Sequence, residues 1–196
     1  MAAKSIVSEK PRDGGGYYLD TSALLPLAHW QASQAHQQAD RNEVVRGKRV
    51  ADLIARGTGT SAVFATSVLA FEEVAALIRN RSRQDQTNGA WRQLNKTDPQ
   101  RAVVDAIAQA KMLAMLKLAA DAASSLGVSC LWPDVNGGPA AAGRKLRKAH
   151  RALLKAYVDL DAMDALHLVV GAELGFTSFV SFDAGWAVVP SVDILS

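Results

Sequence analysis

Residues 17–27 read YYLDTSALLPL and place a single acid, Asp20, between two apolar runs. A carboxylate beside a buried core costs free energy unless a helix start, a cation or solvent stabilises it. Residues 17–19 are typical of a short buried strand, and Thr21 or Ser22 can open the helix that follows. The stretch therefore predicts a strand-to-helix turn with a carboxylate at the carboxyl end of the strand.

Short apolar runs and helical spacings alternate along the rest of the chain. This alternation is typical of an α/β domain in which helices flank a central parallel sheet. Asp98 followed by Pro99, with Gly127 after the last apolar positions, predicts the longest helix. Strands are predicted near 64–65, 128–132, 177–183 and 187–190, and further helices near 31–56, 67–83, 140–158 and 161–174.

The composition is that of one globular domain, with 49% apolar and 21% charged residues among 196. We predict a single domain over residues 16–196, after a flexible segment at 1–15 that ends in glycines. The N-terminus has no apolar segment typical of a secretory signal, and no run reaches the roughly 18 apolar residues of a membrane helix. The only cysteine, Cys130, lies in an apolar stretch and is expected to be buried. We therefore expect a cytoplasmic protein.

Several elements can bring acids to one edge of the predicted sheet. Asp20 and Asp183 end two strands. Asp164 lies in the first turn of one helix, and Glu72 and Glu73 lie in the first turns of another. The carboxyl ends of parallel strands and the starts of the following helices open on the same edge, where ligands bind in α/β proteins. Four carboxylates can therefore converge.

Such a cluster would require a proton or a cation. Two carboxylates about 4 Å apart repel by roughly 4 kcal/mol at an effective dielectric constant near 20. A shared proton relieves this repulsion, and so does a bound divalent ion. Oxygen ligands without His or Cys at metal spacing favour Mg²⁺ or Mn²⁺ over Zn²⁺.

Each acid also has a simpler structural role. Asp20 and Asp161 can cap the helices that follow them. Asp164 can complement the dipole of its helix, and Glu73 can be an acid on a solvated helix face. Asp183 can be a turn residue. Their joint placement, and not any one of them, favours a common site.

Four segments together resemble the PIN-domain family, the metal-dependent ribonucleases that include VapC-type toxins. They occur in the order typical of that family and read YYLDTSAL, ATSVLAFEEVAALI, LDAMDALHLVVGAELG and FVSFDAGW. The resemblance implies a Rossmann-like PIN domain and a Mg²⁺- or Mn²⁺-dependent endoribonuclease that hydrolyses RNA. It also implies a hydroxyl near the pocket, with Ser22 and Ser181 as candidates. The implied catalytic and metal-binding acids are Asp20, Glu73, Asp164 and Asp183, with Glu72 as the second choice for the glutamate.

The chain departs from compact toxin members of that family in length. The additional residues lie at 31–60 and 84–127 and are predicted to be helical insertions. They could serve dimerisation, substrate selection or another partner. The resemblance implies a homodimer and, for a member of a toxin–antitoxin pair, a protein antitoxin. No membrane partner is expected.

Residues 143–155 read GRKLRKAHRALLK and contain six Lys or Arg and no acid. Because the whole chain carries +3 and this segment +6, the remainder carries −3. On a helical wheel five of the cations share one stripe, opposite Leu146, Leu153 and Tyr157. The stripe is either a solvated helix face or a surface that contacts RNA phosphates. Its members are Arg144, Arg147, Lys148, Arg151 and Lys155.

Two other functions fit parts of the sequence. The first is a non-catalytic PIN-like module that binds RNA or protein. The second is an aspartyl phosphotransferase with Asp20 as the nucleophile. Dehalogenase-type phosphatases need a second Asp two residues further on, where this chain has Ser22. His167, one turn after Asp164, is expected to pack in the core.

Overall fold

The computed structural model describes residues 5–132, 138–183, 185–186, 189 and 193–195. Five strands form one sheet in which every neighbouring pair is parallel. The strands are β1 (Gly16–Leu19), β2 (Val63–Ser67), β3 (Ser129–Leu131), β4 (Ser178–Val180) and β5 (Asp193–Leu195). Their order is β3-β2-β1-β4-β5, so the direction in which strands are added reverses between β1 and β4. Ligands of open α/β sheets bind at such a switch point.

Helices flank the sheet, which confirms the predicted α/β class. They are α1 (Thr21–Gln34), α2 (Arg41–Gly57), α3 (Val68–Gln86), α4 (Pro99–Ser125), α5 (Gly138–Ala156) and α6 (Ala162–Glu173), with a short 3-10 helix at Ala90–Gln93. The arrangement is consistent with a Rossmann-like fold. Asp98 caps α4 as predicted, by accepting a hydrogen bond from the Gln100 N–H, and Gly127 follows the helix with a φ of 72°.

β1 is buried on both faces because it is the central strand of a parallel sheet. Tyr17 and Leu19 face a core that also contains residues of α1, α2 and α4. The Tyr17 ring stacks on Phe64, with 5.1 Å between the ring centroids. Tyr18 faces the second core, with α5 and α6, and its ring centroid lies 5.6 Å from that of Phe179. A strand covered on both faces explains the uninterrupted apolar run before Asp20.

The helix predicted over 31–56 is divided in two. α1 ends before His36, whose φ of 55° cannot continue a right-handed helix. α2 begins after Asp40, whose carboxylate accepts hydrogen bonds from two N–H groups of the first turn. The additional residues at 31–60 and 84–127 thus contain α2 and α4, and both helices pack against α1.

Three further predictions concern Cys130, the N-terminal segment and the last strand. Cys130 is exposed, because β3 is an edge strand with an uncovered side. Within the segment predicted to be flexible, residues 5–15 lie against the domain. Ile6 is fully buried, and the Arg56 guanidinium donates a hydrogen bond of 2.6 Å to its carbonyl. The strand predicted at 187–190 falls on residues of which only Val189 is described.

Among the described residues, no helix combines the length and the apolar character needed to span a bilayer.

The contact between α1 and α2 depends on Gly47. A Cβ atom at this position would lie 2.1 Å from the Pro26 carbonyl oxygen and 2.8 Å from Trp30 Cβ. Neither neighbour is the free end of a flexible side chain. The absence of a side chain at Gly47 therefore sets how closely the two helices approach.

We predict that Gly47→Ala lowers the free energy of unfolding by about 1–3 kcal/mol, because the added methyl group separates α2 from α1. Urea denaturation followed by circular dichroism measures this loss. Gly59→Ala is the matched control, since a Cβ there meets nothing within 4 Å. Equal stability of the two variants would show that the helices can move apart without cost.

Candidate active site

Four acids from four different elements line one cavity of about 260 Å³ at the carboxyl edge of the sheet. Asp20 follows β1, Glu73 is on α3, Asp164 is on α6, and Asp183 follows β4. Strand β1 and strand β4 meet at the switch point of the sheet. Glu72, the alternative glutamate, is exposed and is not among the residues that line this cavity. The remaining lining residues are Thr21, Ser22, Leu25, Pro26, Glu43, Arg46, Leu77, Arg81 and His167.

Asp20 is both a helix cap and part of the pocket. Only 3% of the residue is exposed. Its Oδ1 accepts hydrogen bonds from the Ala23 N–H at 2.9 Å and from the Ser22 hydroxyl at 2.8 Å. Burial nevertheless raises the pKa of Asp20 to about 6, and the hydroxyls of Ser181 and Ser22 offset part of that rise. The capping role and the pocket role do not exclude each other.

Ser22 joins the segment after β4 to Asp20. Its hydroxyl accepts a hydrogen bond of 2.7 Å from the Phe182 N–H while it donates to the Asp20 carboxylate. The Ser181 hydroxyl lies 3.2 Å from that of Ser22. Ser22 therefore lines the pocket, Ser181 is buried next to Ser22, and the polypeptide that carries Asp183 is fixed to the start of α1.

Glu73 ends a chain of buried hydrogen bonds. Its Oε2 lies 2.8 Å from Nε2 of His167, whose Nδ1 lies 2.9 Å from the Tyr18 hydroxyl. The Tyr18 hydroxyl in turn lies 2.7 Å from that of Ser67. Because an ionised carboxylate only accepts, Nε2 carries the proton, and a neutral imidazole then accepts at Nδ1 from the Tyr18 phenol. Thr21 donates a further hydrogen bond to Glu73.

These hydrogen bonds and the burial of the residues that form them shift the pKa values of Glu73 and Tyr18. The hydrogen bond from His167 holds the pKa of Glu73 below its ordinary value, although partial burial opposes the effect. Burial raises the pKa of Tyr18, so its hydroxyl stays protonated. His167 is buried, as the sequence predicted, yet it also lines the pocket and holds Glu73. Ser67 directly precedes α3, but its hydroxyl bonds to Tyr18 and does not cap the helix.

Asp164 and Asp183 face each other across Gly185. A Cβ atom at Gly185 would lie 3.3 Å from Oδ2 of Asp164 and 3.2 Å from Oδ1 of Asp183. Burial raises the pKa of Asp164 to about 6, and the charges of Asp183, Asp161 and Glu73 add to the rise. The buried indole N–H of Trp186 is directed at Asp164 and opposes this rise in pKa, although it does not reach normal hydrogen-bond geometry. Asp161 itself caps α6 through the Met163 N–H, at 2.7 Å.

The donor set suits a hard divalent cation, but it is not a closed metal cage. Within the described residues, no three His, Cys, Asp or Glu side chains are close enough to enclose an ion together. Mg²⁺ typically keeps several water ligands and is bound through one or two carboxylates, so it does not require such a cage. The raised pKa values of Asp20 and Asp164 show that the pocket disfavours negative charge, which a cation would relieve.

Sequence reasoning missed the charged residues at the rim of the pocket. Arg46 and Glu43 come from α2, and Arg81 comes from α3. The signal for Arg81 was present, because it lies eight residues after Glu73 and hence on the same helix face. No local signal indicated Arg46, since only the packing of α2 on α1 brings it to the pocket.

The five cations of the predicted stripe on α5 are all exposed and line one open groove of about 460 Å³. Leu146, on the opposite side of the helix, is buried. Lys145, which the wheel placed outside the stripe, forms an ion pair with Glu173 of α6. The helix therefore has the orientation that the charge pattern predicted.

Comparison with protein-family models, with curated proteins and with solved structures found no match. The function of the chain must therefore be inferred from the pocket and its surroundings.

We predict that Asp20→Asn stabilises the protein at pH 7.5 in the absence of divalent ions by about 1–2 kcal/mol. A rise in pKa from 3.8 to about 6 corresponds to about 3 kcal/mol against the ionised form, and part of this gain is offset because the amide gives Ser22 only a neutral acceptor at Oδ1 and a donor in place of Oδ2. Asparagine still caps α1. The native state binds the Asp20 proton more tightly than the unfolded state, so the contribution of Asp20 to wild-type stability falls as pH rises from about 4 to about 6.

Urea denaturation of both proteins at pH 4 and pH 7.5, in EDTA, measures the effect. The gain should be absent at pH 4, where Asp20 is largely protonated in the folded protein. Asp98→Asn, at the cap of α4, is the control and should show no gain at either pH. An equal gain at both pH values would mean that the Asp20 charge is not the cause.

Proposed function

We propose that this chain is a PIN-like, Mg²⁺- or Mn²⁺-dependent endoribonuclease. The observation that carries the proposal is the common cavity of Asp20, Glu73, Asp164 and Asp183 at the switch point of the sheet. Strand ends and helix starts meet at this edge in any parallel α/β sheet, and here the four acids also line the same cavity. The proposal combines this geometry with the resemblance of the surrounding motifs to PIN domains.

These four carboxylates would hold the ion, some of them through water. A divalent ion in such a site supplies an activated water for attack on phosphorus and stabilises the leaving oxygen. Glu73 is ionised, because His167 and Thr21 donate to it. Asp20 and Asp164, with pKa values of about 6, are the acids most able to take up a proton near neutral pH. Ser22 keeps Asp20 and the segment before Asp183 in register.

RNA as the substrate is supported by the basic groove of α5. His150 of α5 lies 2.7 Å from the Ala162 carbonyl at the start of α6, and Lys145 pairs with Glu173 at the end of α6. The two helices are therefore antiparallel, and the Lys155 end of α5 lies toward the start of α6, where Asp164 is. A row of cations that leads to an acidic pocket suits a polyanionic strand held through its phosphates.

We predict that Asp20→Asn and Asp164→Asn each reduce Mg²⁺- or Mn²⁺-dependent cleavage of RNA at least about 100-fold, because each removes an anionic ligand of the ion. Gel electrophoresis of a panel of end-labelled RNAs measures cleavage. Asp161→Asn is the matched control, since asparagine keeps the cap of α6 and Asp161 is not among the residues of the cavity. Full activity of a folded Asp20→Asn/Asp164→Asn double variant contradicts the proposal.

We further predict that Arg147→Gln/Arg151→Gln weakens RNA binding about tenfold and lowers the slope of log Kd against log salt by about 1.4, as expected for two lost phosphate contacts on a single strand. Fluorescence anisotropy with a labelled, random-sequence 20-nucleotide RNA measures both. Lys145→Gln is the control, because Lys145 lies outside the groove and pairs with Glu173. An unchanged slope would show that RNA phosphates do not contact Arg147 and Arg151, and that this side of α5 is only a solvated helix face.

A non-catalytic RNA-binding module is the second candidate. It is favoured by the lack, within the described residues, of three side chains placed to enclose a metal ion. Such a module would bind RNA through α5 and show neither metal-dependent cleavage nor a rise in melting temperature with Mn²⁺. A toxin role, a protein antitoxin and a homodimer stay predictions of the resemblance to PIN domains.

A further inference from the structure

We propose that Arg46 of α2 is an anchor for a substrate phosphate at the rim of the acidic pocket, and that Glu43 holds it in place until a phosphate binds. This inference rests on the proposed function for the identity of the substrate. It assigns a role to α2, which lies in the additional residues 31–60, for which substrate selection was one of the expected roles.

Arg46 lies beside the segment that leads to Asp183. Its guanidinium carbon lies 5.6 Å from the ring centroid of Phe182, the residue directly before Asp183. The Phe182 N–H bonds to Ser22, and Ser22 bonds to Asp20. The guanidinium therefore rests on the same short segment that orients two of the four carboxylates.

Arg46 is also available to a ligand. Its only ion pair given by the described residues is with Glu43, at 3.5 Å, and 49% of its side chain is exposed. A charge-assisted hydrogen bond is normally 2.7–2.9 Å long, so this pair is loose. The contact with the Phe182 ring is not a hydrogen bond, so it leaves the N–H donors of the guanidinium free to bind a ligand. A phosphate can be bound by two parallel hydrogen bonds from these donors.

An acidic pocket that acts on phosphodiesters needs such an anchor. Four carboxylates repel the phosphates on either side of the bond to be cleaved, and a bound ion offsets only part of this repulsion. Arg81 supplies a second cation on the wall of the same cavity, about 12 Å along α3 from Glu73. The pocket thus has cations on its α2 and α3 side, and the basic groove of α5 lies on the other layer of helices.

Arg46 could instead serve only to neutralise the acids. That role and the anchor role predict different results for RNA binding in the absence of metal. Neutralisation makes Arg46 important for folding or for metal affinity, with no specific loss of RNA contacts. An anchor makes it important for RNA affinity and for the number of ions released on binding.

The test measures binding of a labelled, random-sequence 20-nucleotide RNA by fluorescence anisotropy, in EDTA, over a series of salt concentrations. Arg46→Met should weaken binding about five- to tenfold and lower the salt slope by about 0.7, the value for one phosphate contact on a single strand. Arg46→Lys should keep the slope and lose part of the affinity. Arg49→Met is the matched control, one turn along α2 and outside the acid-lined cavity, and should change affinity less than twofold.

Glu43→Gln tests the holding role. Removing the Glu43 charge should tighten RNA binding about two- to fivefold in the wild-type background and leave it unchanged in the Arg46→Met background. Equal binding of Arg46→Met and wild type overturns the anchor, and so does an equal loss in Arg49→Met. Tighter binding of Glu43→Gln in both backgrounds overturns the holding role, because it shows general repulsion by Glu43.

The outcome is separate from that of the proposed function, because binding in EDTA involves neither metal nor cleavage. If the protein never cleaves RNA but Arg46→Met weakens RNA binding, the anchor is supported and the nuclease assignment is contradicted. If the protein cleaves RNA and Arg46→Met leaves kcat and KM unchanged, the nuclease assignment is supported and the anchor is contradicted. If both hold, Arg46→Met raises KM more than it lowers kcat.

Discussion

The carboxylate of Asp20 is buried at the end of the central strand, and a buried carboxylate must be supplied with hydrogen-bond donors. Two sources provide them. One is a backbone group, the Ala23 N–H, and the other is a side-chain group, the Ser22 hydroxyl; both belong to the first turn of α1. Ser22 in addition accepts from the Phe182 N–H, which fixes the end of β4 to the end of β1. The switch point of the sheet and the start of α1 are thereby held in one geometry, on which the position of Asp183 relative to Asp20 depends.

The pocket combines acids of different protonation behaviour. Glu73 receives donors from two sides, and its pKa is lowered. The pKa values of Asp20 and Asp164 are raised to about 6, chiefly because burial disfavours the ionised carboxylate. The difference has a topological cause. Glu73 reaches the cavity from the middle of α3's second turn, where the His167 side chain meets it, whereas Asp164 faces other acids across Gly185. An environment that separates the pKa values of neighbouring acids is typical of sites that handle protons.

The sequence predicted well what is encoded locally. The cap at Asp98, the proline after it and the glycine at 127 defined α4, and the single sign of charge on one helical stripe gave the orientation of α5. It could also indicate that acids end two strands. It could not indicate Arg46 or Glu43, because α2 reaches the pocket only through its packing on α1. Nor could it indicate that His167 bonds to Glu73, since 94 residues separate them. Exposure of Cys130 was missed because β-pairing order, not the local apolar run, decides which strand is at the edge.

Gly47 limits which substitutions the wall of the pocket formed by α1 and α2 can accept. The distance between the helix that Asp20 begins and the helix that carries Arg46 is set where Gly47 meets the Pro26 carbonyl, which is main chain and cannot adapt. Apolar side chains elsewhere along this contact can be exchanged for others of similar volume without changing that spacing. One methyl group at Gly47 would change it. The spacing of the two helices beside the pocket therefore depends on a position that does not itself line the pocket.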